Sequence, residues 1–163
     1  KELIIGFDIA GPELNYLPSM YKDSFLKVKN EGINITIHAG EGDGVHSIQE
    51  ALDNGAKRIG HGVRIIEDIS VDNKLGPTAD HILQNNIPLE VCITSNLHTN
   101  MYKNPQDHPI SRLHNLGFNI SLNTDNRLMS NTSIDNELNV AKAAGIENPT
   151  SLLKYSASDS FLN

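Results

Sequence analysis

Apolar residues recur in two rhythms along the 163 residues of this chain, and the two rhythms alternate. Short runs rich in isoleucine, leucine and valine occupy residues 3–9, 33–37, 58–61, 89–94 and 118–122. Each reads as a strand, with the clearest period of two at Ile33, Ile35 and Ile37. Between the runs, apolar residues stand three or four apart, at Tyr21, Phe25 and Val28, then at Val45, Ile48 and Leu52. Further helices are expected over residues 78–85, with Ile82 and Leu83 inward, and just after Pro109, carrying Ile110 and Leu113. Another is expected over about residues 135–144, with Leu138 and Ala141 inward. Gly32, Gly55, Gly117 and Gly145 stand where helices stop. A last amphipathic piece is expected from Pro149 to Phe161.

Five strand-then-helix units in succession predict an α/β fold with parallel strands and right-handed crossovers. No linker, charge block or internal repeat divides the chain, so residues 1–163 read as one domain. Five strands leave two architectures open. An open doubly wound sheet is possible at this length, whereas a closed (β/α)8 barrel takes eight strands and typically about 250 residues.

Composition narrows the function classes. A hydrophobic content of 38% is compatible with a packed core, and the formal charge of −7 argues against a nucleic-acid binder. A small neutral or cationic substrate fits better. The lone Cys92 sits in the apolar run and reads as a small buried hydrophobe in a reducing, cytoplasmic setting. No run approaches the roughly 18 apolar residues of a membrane span. The chain begins at Lys1-Glu2 with neither a charged and apolar leader nor a methionine, which suggests that it was cut from something longer.

Candidate chemistry collects at strand ends. His38 closes the second strand with Glu41 in the glycine-rich turn beyond it; His61 closes the third; Asp125 follows the fifth. In barrels and open α/β sheets the carboxyl ends of strands are where chemistry is placed. Taken singly, each is better explained as a polar group satisfied by backbone or water, but jointly they point to one pocket. Imidazole nitrogen and carboxylate oxygen are common zinc ligands, and histidine and glutamate beside a bound water suit metal-assisted hydrolysis. Gly11, in the turn after the first strand, lets a ligand approach the backbone. Residues 95–98 read as a polar turn, and His46 and His81 as surface residues. There is no Gly-x-Ser-x-Gly elbow, no phosphate loop, and too few cysteines for a Pro-Cys-x-x-Cys zinc site.

Four motifs, Asp8-Ile-Ala-Gly-Pro-Glu13, His38-Ala-Gly-Glu41, Arg58-Ile-Gly-His-Gly62 and Ser121-Leu-Asn-Thr-Asp125, occur in the order and spacing of the adenosine deaminase family. The chain resembles the C-terminal part of these zinc-dependent aminohydrolases, which are (β/α)8 TIM barrels, and the resemblance covers nearly all of it. It implies a partial barrel made of about the fourth to eighth strands. It also implies hydrolytic deamination of adenosine, and of 2′-deoxyadenosine, to inosine and ammonia by a zinc-activated water. In that reading His38 and Asp125 bind zinc, Glu41 protonates the purine ring nitrogen N1, and His61 takes a proton from the water. Gly11 hydrogen-bonds the purine through its backbone, and Asn126, where many members carry aspartate, donates to N7.

The family's other two zinc ligands form a His-x-His pair, and none occurs in these residues. The expectation is a fragment that is inactive alone and holds zinc weakly. Its partners would be the missing half of the barrel or another copy joined through open sheet edges. Adenine deaminase is the runner-up; that branch typically carries aspartate where Gly60 stands here. A non-catalytic binding module is the alternative from another class.

Overall fold

The computed structural model describes residues 4–153 together with 160 and 161. Five strands, β1 (Gly6–Ile9), β2 (Asn34–Ala39), β3 (Arg58–His61), β4 (Leu89–Val91) and β5 (Ile120–Leu122), form one sheet. Neighbours pair in the order β1-β2-β3-β4-β5, all parallel. A doubly wound sheet reverses its strand order at a switch point, and this sheet does not. Successive units advance in one direction, as around a (β/α) barrel. The chain is α/β, and its sheet is part of such a barrel.

The helices are α1 (Lys22–Asn30), α2 (Val45–Asp53), α3 (Pro77–Gln84), α4 (Ile93–His98), α5 (Ile110–Asn115), α6 (Arg127–Ser130) and α7 (Ile134–Ala143). Alternation along the strands sorts the two sheet faces. Ile35, Ile37, Ile59, Leu89, Val91, Ile120 and Leu122 are buried, and they pack with Phe25, Ile48, Ile82, Leu113 and Ala141 from the helices. Truncating one of the isoleucines, leucines or Phe25 to alanine would cost about 2–5 kcal/mol, because the cavity cannot collapse fully. The other face is polar. Arg58 crosses it, its Nε donating to Thr36 Oγ1 at 3.1 Å and lying 3.2 Å from Glu90 Oε1.

Two expectations are corrected. The apolar run expected as a strand to residue 94 leaves the sheet after Val91, and the expected polar turn at 95–98 is the end of α4. Cys92 is therefore the residue before a helix, although it is buried as expected. A run this apolar cannot be divided into strand and buried helix by periodicity, because all its faces are covered. Glu137 of α7, fully buried, locks the turn by accepting from Thr94 N at 3.2 Å and Thr132 Oγ1 at 2.8 Å. Of the expected last piece, Pro149–Leu153 is a 3-10 turn, and residues 154–159 lie outside the described part.

Candidate active site

The carboxyl ends of β2 and β3 and the loop after β5 bring His38, Glu41, His61 and Asp125 together. The rings of His38 and His61 meet edge to face with centroids 5.0 Å apart. His61 Nε2 lies 3.5 Å from Glu41 Oε2 and 4.0 Å from Asp125 Oδ2. His38, His61 and Asp125 line one cavity of about 140 Å³ with Gly60, Glu90, Cys92 and Asn123. His38 also lines a second cavity of about 250 Å³ with Gly11, Glu13, Tyr16 and Tyr21.

Strict alternation would put His61 on the helix-facing side with Ile59. Its φ of +63° ends the extended run, and Asp125 has a φ of +54°. Histidine and aspartate tolerate this left-handed region better than most residues, yet it costs them energy, and such strain gathers where function holds a side chain in place.

Burial and charge divide the ionisable groups. Burial pushes His61 down to about 4, helped by the neighbouring His38. Burial also lowers His38, but the Asp8, Asp125 and Glu41 carboxylates outweigh it and leave that ring raised. Glu41 is raised, chiefly by burial, against the hydrogen bond from Asn96. A raised carboxyl and a lowered imidazole at contact distance are two titratable groups pushed by their surroundings into different roles, the carboxyl towards holding a proton and the imidazole towards the neutral form.

Several partners carried no sequence signal of their role. Asn96 of α4, fully buried, donates through Nδ2 to Glu41 Oε1 at 2.8 Å and sits 3.3 Å from His61 Nδ1. Ser95 Oγ donates to Asp125 Oδ2 at 2.7 Å. Glu13, known from the sequence as the last residue of the Asp8–Glu13 motif with no role attached, accepts from the backbone N–H groups of Gly40, Glu41 and Asp43 and from Ser47 Oγ. Gly11 has a φ of +138°, which suits glycine alone. Asn126 lies beside Asp125, but its Oδ1 accepts from Met129 N at 3.0 Å and caps α6, so only its Nδ2 is left to donate elsewhere. His46 and His81 are exposed, as expected.

Residues 1–156 match the adenosine deaminase family model. The chain belongs to the adenosine deaminase family. Adenosine deaminase 1 of Streptomyces coelicolor is 48% identical over 139 residues, which cover 82% of this chain and 35% of that protein. An adenosine deaminase of Mycolicibacterium vanbaalenii is 45% identical over 140 residues, 83% of this chain and 39% of the relative. The chain thus spans little more than a third of these relatives' length. Among solved structures, the N6-methyl-AMP deaminase of Arabidopsis thaliana superposes with a TM-score of 0.79 at 25% identity, covering 98% of this chain and 45% of that one.

The zinc that this adenosine deaminase family implies can be tested against the residues present. His38 Nδ1 is buried with no hydrogen-bond partner, and the Asp8 carboxylate stands 3.6 Å from it. A carboxylate behind an imidazole is how a metal-binding histidine is commonly oriented. His38 and Asp125 line the same cavity and have the right donor atoms. They fit as part of a zinc site. Among the described residues no group of three or more His, Cys, Asp or Glu side chains is arranged to hold a metal.

Proposed function

We propose that this chain supplies the acid–base half of a hydrolytic adenosine deaminase site. The observation that carries the reading is the placing of His61 Nε2 within 3.5 Å of Glu41 Oε2 and 4.0 Å of Asp125 Oδ2. A water held among these groups attacks C6 of adenosine or 2′-deoxyadenosine, the C6–N bond breaks, and inosine or 2′-deoxyinosine and ammonia leave. Of the water's two protons, one ends on ring nitrogen N1 and one on the ammonia. Glu41, whose carboxyl is held in a raised state, hands its proton to N1. His61 and Asp125 orient the water and manage the proton it gives up. Gly11 receives the purine edge through its backbone, and Asn126 Nδ2 donates to N7.

His38 and Asp125 would hold zinc, with further ligands from residues other than those described. Bound there, the ion supplies Lewis-acid polarisation of the water. With two donors of its own the chain holds zinc weakly and is inactive by itself. β1 and β5, the edges of the sheet among the described residues, pair with the rest of a barrel or with another copy. A buried free thiol at Cys92 suits the cytoplasm.

The test is ammonia release by the complete protein that carries this chain, with adenosine and adenine offered in parallel. Turnover of adenosine, abolished by Glu41→Gln, is the expected result. Preference for adenine would replace the substrate, and no turnover of either by well-folded, zinc-loaded protein would replace the reading with a binding module. Zinc held stoichiometrically and tightly by the isolated chain would contradict the claim that it lacks ligands.

A further inference from the structure

We propose that His108 and Asn96 are positioning residues that fix the direction of the side-chain hydrogen bonds from Asn96 to His61 and Glu41. They thereby hold His61 in the form with its hydrogen on Nε2. What this does for catalysis rests on the deaminase reading, whereas the hydrogen placement does not.

The chain of reasoning starts at a backbone group. Ile110 opens α5, so its N–H has no partner within the helix, and it donates to His108 Nδ1 at 3.2 Å. A ring nitrogen that accepts carries no hydrogen. Burial pushes His108 down to about 3, so the ring is neutral and its one hydrogen is on Nε2. That nitrogen lies 3.1 Å from Asn96 Oδ1, which must therefore be the acceptor. The orientation of the Asn96 amide is thus decided without reference to the site it serves.

With Oδ1 committed, both hydrogens of Asn96 Nδ2 point the other way. One goes to Glu41 Oε1 at 2.8 Å and the other to His61 Nδ1 at 3.3 Å. His61 therefore accepts at Nδ1 and carries its hydrogen on Nε2, facing Glu41 Oε2 and Asp125 Oδ2. Every donor along this path points towards the carboxylates. Reversing the Asn96 amide would turn Nδ2–H against the Nε2–H of His108, leaving buried donors unpaired. Two consequences follow. Glu41 Oε1 is kept as an acceptor, so a proton on Glu41 resides on Oε2, the oxygen nearest His61. His61 meets the reacting water as a donor, and Glu41 Oε2, once its proton has passed to N1, accepts the proton that the water gives up. This reverses the direction that the family resemblance implied for His61.

The test is long-range 1H–15N correlation on the complete protein labelled with 15N at histidine, with His61 assigned from His61→Asn. Unprotonated Nδ1 and protonated Nε2 on both His61 and His108 are expected, and they are read on the parent protein, a variant serving only for assignment. His108→Leu removes the donor that orients Asn96 and should give His61 a mixture of tautomers, with kcat lower by about tenfold or more and KM little changed. His108→Gln, whose amide can still donate to Asn96, should restore most of both. A wild-type His61 carrying its hydrogen on Nδ1 would overturn the proposal. So would a His61 tautomer indifferent to His108→Leu, which would make that residue merely structural. The expected tautomers in a protein that deaminates nothing would remove the functional reading and leave this one standing.

Discussion

Glu13 Oε1 accepts the backbone N–H of Glu41 at 2.9 Å, tying the turn after β1 to the turn that carries the candidate acid. The same buried carboxylate takes Gly40 N and Asp43 N at 3.0 Å and Ser47 Oγ at 3.1 Å. Three peptide groups of one loop thus converge on one side chain from a neighbouring loop. The orientation of Glu41 is set by its backbone as much as by its own hydrogen bond to Asn96.

Replacing Glu13 by alanine would leave the N–H groups of Glu41 and Asp43 without their acceptor, while Gly40 N keeps Ser47 Oγ at 2.9 Å. Stability should fall by about 3 kcal/mol, an order-of-magnitude figure for charge-assisted bonds, with a melting temperature lower by roughly 6–12 °C. Glu13→Gln keeps one carbonyl oxygen and should lose less. Thermal melts followed by circular dichroism check this, and an alanine variant as stable as the parent would show that the loop holds itself.

Gly60 faces the His38 ring. A methyl group at that position would lie 2.7 Å from His38 Nδ1 and 3.0 Å from its Cγ, too close for either to remain. Gly60→Ala should therefore displace the imidazole and weaken zinc binding to the complete protein by at least about tenfold. Competition with a chelating dye measures this, and unchanged affinity would mean that His38 does not hold the metal.

His108 supplies a pH signature. Its folded-state pKa, pushed by burial to about 3, lies below the ordinary 6.5, so the folded state prefers the neutral ring. Below pH 6.5 the unfolded chain binds a proton that the folded chain refuses. The associated stability is fully present above that pH and is lost as pH falls towards 3, by roughly 5 kcal/mol at most. Urea denaturation of the parent and of His108→Gln, compared between pH 7 and pH 4, should show a steeper loss in the parent. Parallel profiles would count against a buried neutral ring.

Asn126 separates two roles on one side chain. Asn126→Asp keeps the oxygen that caps Met129 N and should cost at most about 0.5 kcal/mol, while Asn126→Ala loses the cap and costs about 1 kcal/mol. Asn126→Ala removes the donor proposed for purine N7, whereas Asn126→Asp keeps one when its carboxyl is protonated. If that donor matters, KM for adenosine rises in Asn126→Ala by more than its stability loss, and in Asn126→Asp it rises as pH is raised; a KM that tracks stability alone would confine Asn126 to capping.

Much of this arrangement was legible in local pattern. The alternation at Ile33, Ile35 and Ile37, and the helical spacings from Phe25 to Ala141, reappear as β2 and the helices that cover it. The strand ends at His38, His61 and Asp125 likewise announced themselves, since a polar group at the close of an apolar run is visible in one dimension. Residues 88–98 misled because Ile93 and its neighbours are buried whether the backbone is extended or helical. Asn96 looked like a turn residue for that reason.

The sequence by itself determined that strands and helices alternate, which residues are apolar on which face, and which three strand ends carry chemistry. Those properties depend on neighbours two to four positions away. The tertiary structure alone decided that β4 stops at Val91, that His61 turns out of its strand with a positive φ, and that Glu13, Asn96 and His108 govern the site. Hydrogen-bond direction belongs to pairs of groups far apart along the chain, and it exists only once loops from different strands have packed together.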